Sequence, residues 1–224
     1  MADRFFFYLW ILRIYEMPEQ FSIKNILFDL GGVILDIDVQ ATLQKYYELG
    51  FPASLLQLPH NMNTDLFFRY ETGKIGTVEF RNELRRVAGV EASDTELDEA
   101  WNAMIVRIPG ERTRLIDRLR SRYDLYMLSN TSSLHASVFE KMYLDVAGIP
   151  MDKVFRKIYY SFQIGWHKPD REAWEYVIGD AGILPGETLF LDDSIHNIKA
   201  SQELGFRAIH IHERTSLTDL GFDL

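Results

Sequence analysis

Short apolar runs and longer amphipathic segments take turns along most of this chain. The runs around Ile26 to Phe28, Leu125 to Leu128, Ile158 to Ser161, Leu189 to Leu191 and Arg207 to Ile211 each predict a strand, and the first suits one covered on both faces. Between them, ERTRLIDRLRSR from Glu111, a segment from about Ser132 to Met142, REAWEYVIGDAG closed by Gly182, and SIHNIKASQELG all read as helices. Strands alternating with helices of this length predict an α/β fold, a parallel sheet with right-handed crossovers.

The alternation breaks once, after the first strand. Asp38 is a good N-cap for VQATLQKYYELG, in which Val39, Leu43, Tyr46 and Tyr47 share a face and Gly50 terminates. Asn63 to Glu71 reads as a second helix ending at Gly73, Thr77 as the cap of a third closed by Gly89, and Ser93 or Asp94 as the cap of TELDEAWNAMIV. Four helices with no strand between them predict a helical module, residues 38–109, inserted into a core made of residues 17–37 and 110–224.

Composition narrows the partners. The 224 residues are 47% hydrophobic, enough to bury a full core, and carry 33 acidic against 24 basic residues for a formal charge of −9. That balance argues against nucleic acid and anionic membranes, so an anionic substrate needs local lysines, backbone amides or a metal. With no cysteine, disulfides and thiol chemistry are excluded. Residues 1–16 form an apolar extension whose run from Phe5 to Ile14 falls short of the roughly 20 residues of a membrane span. It has neither the flanking charge nor the cleavage site of a secretory signal, which leaves a packed extension, a self-association patch or an upstream start before Met17, and a cytoplasmic protein.

Polar residues able to handle phosphate follow the predicted strands. Asp29 ends the first, with Gly31-Gly32 allowing a tight turn; Ser129-Asn130 ends the second; Lys168 lies in the loop after the third; Asp192-Asp193 ends the fourth. Each alone fits a turn or a helix cap. In a parallel sheet all of them meet at the carboxyl edge, where ligands bind.

FDLGGV (Phe28 to Val33), LSN (Leu128 to Asn130), HKPD (His167 to Asp170) and LDDS (Leu191 to Ser194) resemble, in order, the motifs of the haloacid dehalogenase-like (HAD) hydrolase superfamily, most of whose members are phosphatases. The wording FDLGGVILDID, with LSNT later, is similar to bacterial phosphatases acting on sugar phosphates of the α-glucose 1-phosphate kind. The resemblance implies a Rossmann-like parallel sheet with helices on both faces and an inserted helical cap of four-helix-bundle type. It implies hydrolysis of a small phosphomonoester such as a hexose 1-phosphate through an aspartyl-phosphate on Asp29, a chemistry open to a carboxylate once a cation neutralises the approach of two anions. Mg2+ would be held by Asp29, the Gly31 carbonyl and Asp193; Asp192 would orient Lys168 or the metal's water; Ser129, Asn130 and Lys168 would bind the phosphoryl oxygens.

One position departs from the family. Most of its phosphatases carry a second Asp, a general acid and base, where this chain has Gly31, and such a group is worth about 10²- to 10⁴-fold. Either the leaving group is acidic enough to need no proton, or a cap residue such as His60 or a water supplies it, or catalysis is slow or absent. Substrate choice is expected in the segment from His60 to Gly73, with Arg69 and Glu71 as candidate contacts. Two other functions fit the motifs: a metal-independent 2-haloacid dehalogenase, disfavoured because Asp192 and Asp193 would repel an anionic haloacid, and a non-catalytic binding protein.

Overall fold

A computed structural model describes residues 22–56, 64–212, 216–220 and 222. The N-terminal apolar segment, with the self-association read from it, and His60 lie outside the described residues. In chain order the longer elements are β1 (Asn25–Phe28), β2 (Asp36–Ile37), α1 (Val39–Glu48), α2 (Thr64–Glu71), α3 (Thr77–Ala88), α4 (Asp94–Asn102), β3 (Ile105–Arg107), α5 (Gly110–Leu119), β4 (Asp124–Ser129), α6 (Ser133–Ala147), β5 (Lys157–Tyr160), α7 (Ser161–Ile164), α8 (Arg171–Ala181), β6 (Thr188–Asp192), α9 (Ile195–Glu203) and β7 (Arg207–His210).

The apolar runs do form one parallel sheet, in the order β5-β4-β1-β6-β7. Alternate side chains leave a strand on opposite faces, so each run feeds two cores. Ile26, Phe28, Leu125, Met127, Leu189 and Leu191 pack toward Leu115 and Ile116 of α5 and Phe139 of α6. Leu27, Tyr126, Leu128 and Phe190 pack toward Trp174 and Val177 of α8 and Ile198 of α9. Phe28 is in register with Met127 on one side and Leu191 on the other, which fixes where the next residue of each strand emerges.

Helices α1 to α4 enclose a third core of their own, aromatic at its centre: Tyr46, Phe51, Tyr70, Phe80 and Trp101. Asp38 caps α1 by accepting from the Gln40 amide, and Ser93 with Glu96 forms a capping box on α4. Three expectations need correction here. Tyr47 is 60% exposed, because the buried face of α1 is Thr42, Leu43 and Tyr46, one step round the helix. Thr77 is the first residue of α3, after Gly76, and its hydroxyl bonds Tyr70 and Ser133 instead of capping. The fourth helix stops at Asn102, and Ile105–Arg107 pairs antiparallel with Asp36–Ile37 to make a short ribbon where the chain passes to and from the helical insert. Arg107 and Arg112 hold Asp36 at 2.9 and 2.8 Å, securing that ribbon to α5.

The insert docks on the start of α6. Trp101 Nε1 donates to Ser132 Oγ at 3.0 Å, the Trp101 ring stacks on His135 at 4.6 Å, and the Tyr70 hydroxyl lies 3.1 Å from Ser133 Oγ. Burial lowers the His135 pKa, keeping a neutral ring against the indole.

Candidate active site

Because β1 is the central strand, its last residue opens onto the carboxyl edge between β4 and β6. Asp29 emerges there with its amide held by the Leu191 carbonyl at 2.8 Å. Lys168, almost wholly buried, reaches in from the loop before α8 and places Nζ 2.8 Å from Asp29 Oδ1 and 2.7 Å from Asp192 Oδ2. The loop is clasped by Asn130: its amide nitrogen donates to the Lys168 carbonyl at 2.7 Å and its oxygen accepts from the Lys168 amide at 2.8 Å. Asn130 is thus committed to holding Lys168 in place. Ser129 lines the same cavity with its hydroxyl free of a protein partner among the described residues.

Asp192 and Asp193 are adjacent yet differently placed. Asp192 is fully buried, and its oxygens accept from Lys168, from the Ser194 amide at 2.7 Å and from Asn197 Nδ2 at 3.0 and 3.1 Å. Asp193 is exposed, and its backbone carbonyl lies 2.8 Å from His210 Nε2. Its carboxylate packs over Gly32, whose φ of +70° and missing Cβ leave the room: a Cβ would stand 2.6 Å from Asp193 Cγ.

Electrically the site lacks positive charge. Burial, the largest cause, outweighs the relief from Lys168 and, with smaller contributions from Asp192 and Asp193, pushes Asp29 up to about 7. Burial and Asp192 also raise Asp193. Burial pulls Lys168 down, but Asp29 and Asp192 outweigh it and hold the ammonium above its ordinary value. Asp29, Asp192 and Asp193 can each offer a carboxylate oxygen within 4.8 Å of the others, and no other such group of acidic or histidine ligands occurs among the described residues. With Asp192 saturated by protein donors, Asp29 and Asp193 are the oxygens left for a hard cation, a donor set that suits Mg2+, which takes one or two carboxylates and completes its shell with phosphate and water.

The cavity around Asp29, about 460 Å³, is also lined by Gly31, Ile37, Pro169, Ser194 and His196. It gathers Asp29, Gly31, Ser129, Asn130, Lys168 and Asp193 as the motifs predict. It is not lined by Arg69, which pairs with Asp65 and Glu79 at 3.5 and 3.0 Å, or by Glu71, whose Oε2 lies 3.2 Å from His167 Nε2 but off the line of a hydrogen bond. Sequence reasoning passed over Asn197, the support of Asp192, although a polar residue on the first turn of the helix after a strand-end carboxylate is a usable signal. It also passed over Ile37 as a wall, because β2 was not foreseen.

A parallel five-stranded sheet with a carboxylate at the end of its central strand and a lysine bridging two acids defines a class, and residues 23–205 match the haloacid dehalogenase-like hydrolase family, to which the chain belongs. A D-ribitol-5-phosphate phosphatase of Bacteroides thetaiotaomicron is 36% identical over 184 residues, 82% of this chain and 89% of its own. A crystal structure of a HAD family enzyme from Bacteroides thetaiotaomicron, in complex with magnesium and inorganic phosphate, has a TM-score of 0.82 at 34% identity, covering 89% of this chain and 100% of that one. The L-2-haloacid dehalogenase of Xanthobacter autotrophicus, 18% identical with a TM-score of 0.57 over 88% of this chain and 80% of its own, shares the fold. No helix among the described residues is long and apolar enough to cross a membrane.

Proposed function

We propose that this chain is a Mg2+-dependent phosphatase of small sugar or polyol phosphates that works through an aspartyl-phosphate on Asp29. The observation that carries the reading is the bridge of Lys168 between Asp29 and Asp192, with Asp193 beside them, in a cavity open to solvent. Lys168 fixes the Asp29 carboxylate for in-line attack and balances charge on the phosphoryl oxygens, while the Ser129 hydroxyl donates to one of them. Asp192 holds Lys168 and so acts on the phosphoryl group at one remove. Asp29, the Gly31 carbonyl and Asp193 would hold Mg2+, which supplies the charge neutralisation that lets one anion approach another. The surplus of three carboxylates over one lysine supports that assignment and weighs against a metal-free dehalogenase.

The helical insert between Asp38 and Pro109 acts as the cap. The ribbon leading into it puts Ile37 on the cavity wall, where it would meet the substrate, and Arg69 and Glu71 would influence selectivity through the shape of the cap rather than by touching the phosphate. The relative named for D-ribitol 5-phosphate supports an open-chain polyol phosphate. Gly31, which brings no acid to that position, favours a second substrate type, a hexose 1-phosphate, whose hemiacetal oxygen departs more readily.

Phosphate release from pentitol 5-phosphates, hexose 1- and 6-phosphates and acetyl phosphate, with Mg2+ or EDTA, tests the reading. Turnover that requires Mg2+ and disappears in Asp29→Asn is expected. Release of halide from 2-haloacids in EDTA, with no phosphate released from any ester, would replace it with the dehalogenase.

A further inference from the structure

The cavity poses a proton problem that its own walls answer. A primary alcohol cannot leave phosphorus at a useful rate as an alkoxide, and Gly31 has no side chain to protonate it. Asn130 and Asn197 are committed to Lys168 and Asp192, and Ile37 and Pro169 carry no ionisable proton. Lys168 is locked between two carboxylates, and serine hydroxyls are not acids at neutral pH. His196 remains. It lines the cavity from the first turn of α9, is exposed, and has no hydrogen-bond partner among the described residues. Imidazole is the side chain that ordinarily trades a proton near neutral pH. The charges that line the cavity with it are Asp29, Asp193 and Lys168, and Lys199 lies one turn on along its own helix.

Resting on the phosphatase reading, we propose that His196 is the general acid and base that replaces the carboxylate missing at Gly31. In the first half-reaction an Asp29 oxygen bonds to phosphorus as the bond to the alcohol oxygen breaks, and that oxygen takes the proton from the His196 imidazolium. In the second, water gives its proton to the neutral imidazole as its oxygen bonds to phosphorus and the Asp29–phosphorus bond breaks. The carboxylate and the imidazolium are both restored, and water is the sole co-reactant.

The test compares wild type, His196→Gln and His196→Ala on D-ribitol 5-phosphate, whose alcohol needs a proton, and on p-nitrophenyl phosphate, whose phenolate does not. On the polyol phosphate kcat/KM falls about 10²- to 10⁴-fold, whereas on the aryl phosphate it changes less than ~5-fold. The variants show a burst of p-nitrophenol as the second half-reaction slows, and imidazole restores part of the lost rate to His196→Ala. His196 is exposed, so its replacement leaves the core intact, and matching thermal unfolding curves check this. Equal losses on both substrates, or wild-type rates in both variants, overturn the role of His196 while leaving the phosphatase reading standing. No turnover of either substrate by wild type overturns both.

Discussion

Gly32→Ala tests the proposed metal site without replacing either carboxylate assigned to it. The residue sits at φ +70°, where an L side chain costs about 1–2 kcal/mol. The added methyl would also stand 2.6 Å from Asp193 Cγ and 2.9 Å from its Cβ. Carbon atoms are at ease about 3.5–4.0 Å apart, so the Asp193 carboxylate must retreat by roughly 1 Å. Mg2+ asks for near-ideal octahedral ligands about 2.0–2.1 Å away, and if Asp193 is one of them, as proposed, such a shift would remove it. In EDTA the strain alone lowers Tm by about 2–8 °C, at roughly 2–4 °C per kcal/mol for a chain of this size. With Mg2+ at 100 times the wild-type Kd the wild type gains about 2.7 kcal/mol, while a variant binding 100-fold more weakly gains about 0.4. Differential scanning fluorimetry with and without Mg2+ reads both quantities. A variant that loses Tm in EDTA but keeps the full Mg2+-induced rise would show that Gly32 serves the backbone alone, and would refute the link to Asp193.

Two further outcomes follow from the charge and packing of the site. Asp29 titrates at about 7 in the metal-free fold against 3.8 in its absence, so its contribution to stability is fully present below about pH 4 and is lost as pH rises through 7. At about 1.4 kcal/mol per pH unit this reaches at most ~4 kcal/mol, with Asp193 acting in the same direction. Urea unfolding in EDTA is therefore expected to shift to lower midpoints between pH 5 and pH 8, and Mg2+ to reverse the shift; a midpoint that climbs over that range in EDTA contradicts the arrangement. Trp101→Phe keeps most of the ring stack on His135 but removes the donor to Ser132, costing about 0.5–1.5 kcal/mol, and a loss above 3 kcal/mol would mean that packing dominates that joint.

The sheet was legible because its strands are buried on both faces, which writes them as unbroken apolar runs ending in polar residues. Their spatial order was not, since no local feature of β1 says that β4 and β6 flank it. Asp29, Ser129, Lys168 and Asp193 could be picked out because each follows a strand and all therefore reach one edge. What they do with their partners depends on contacts far along the chain. Asn130 clasps a residue 38 positions away, and Thr77 turns from its helix to a serine 56 positions on. The fates of Arg69 and Glu71 were hidden for the same reason, as Glu79 and His167 are neighbours only in the folded chain. Ile105 to Arg107 extends an amphipathic pattern that a helix could have used, and pairing with Asp36 and Ile37 decides otherwise.

The docking of the helical insert on α6 has a consequence for traffic. Ser132 and Ser133, which receive Trp101 and Tyr70, come three and four residues after Ser129, so the insert is pinned to the part of the core that would grip phosphate. Swinging it aside would disturb that grip. Substrate and alcohol would instead pass by the exposed Ile37 and His196, and that passage would act as a sieve. Bulk added to the far end of the alcohol should then slow entry and escape before it alters the chemistry at phosphorus.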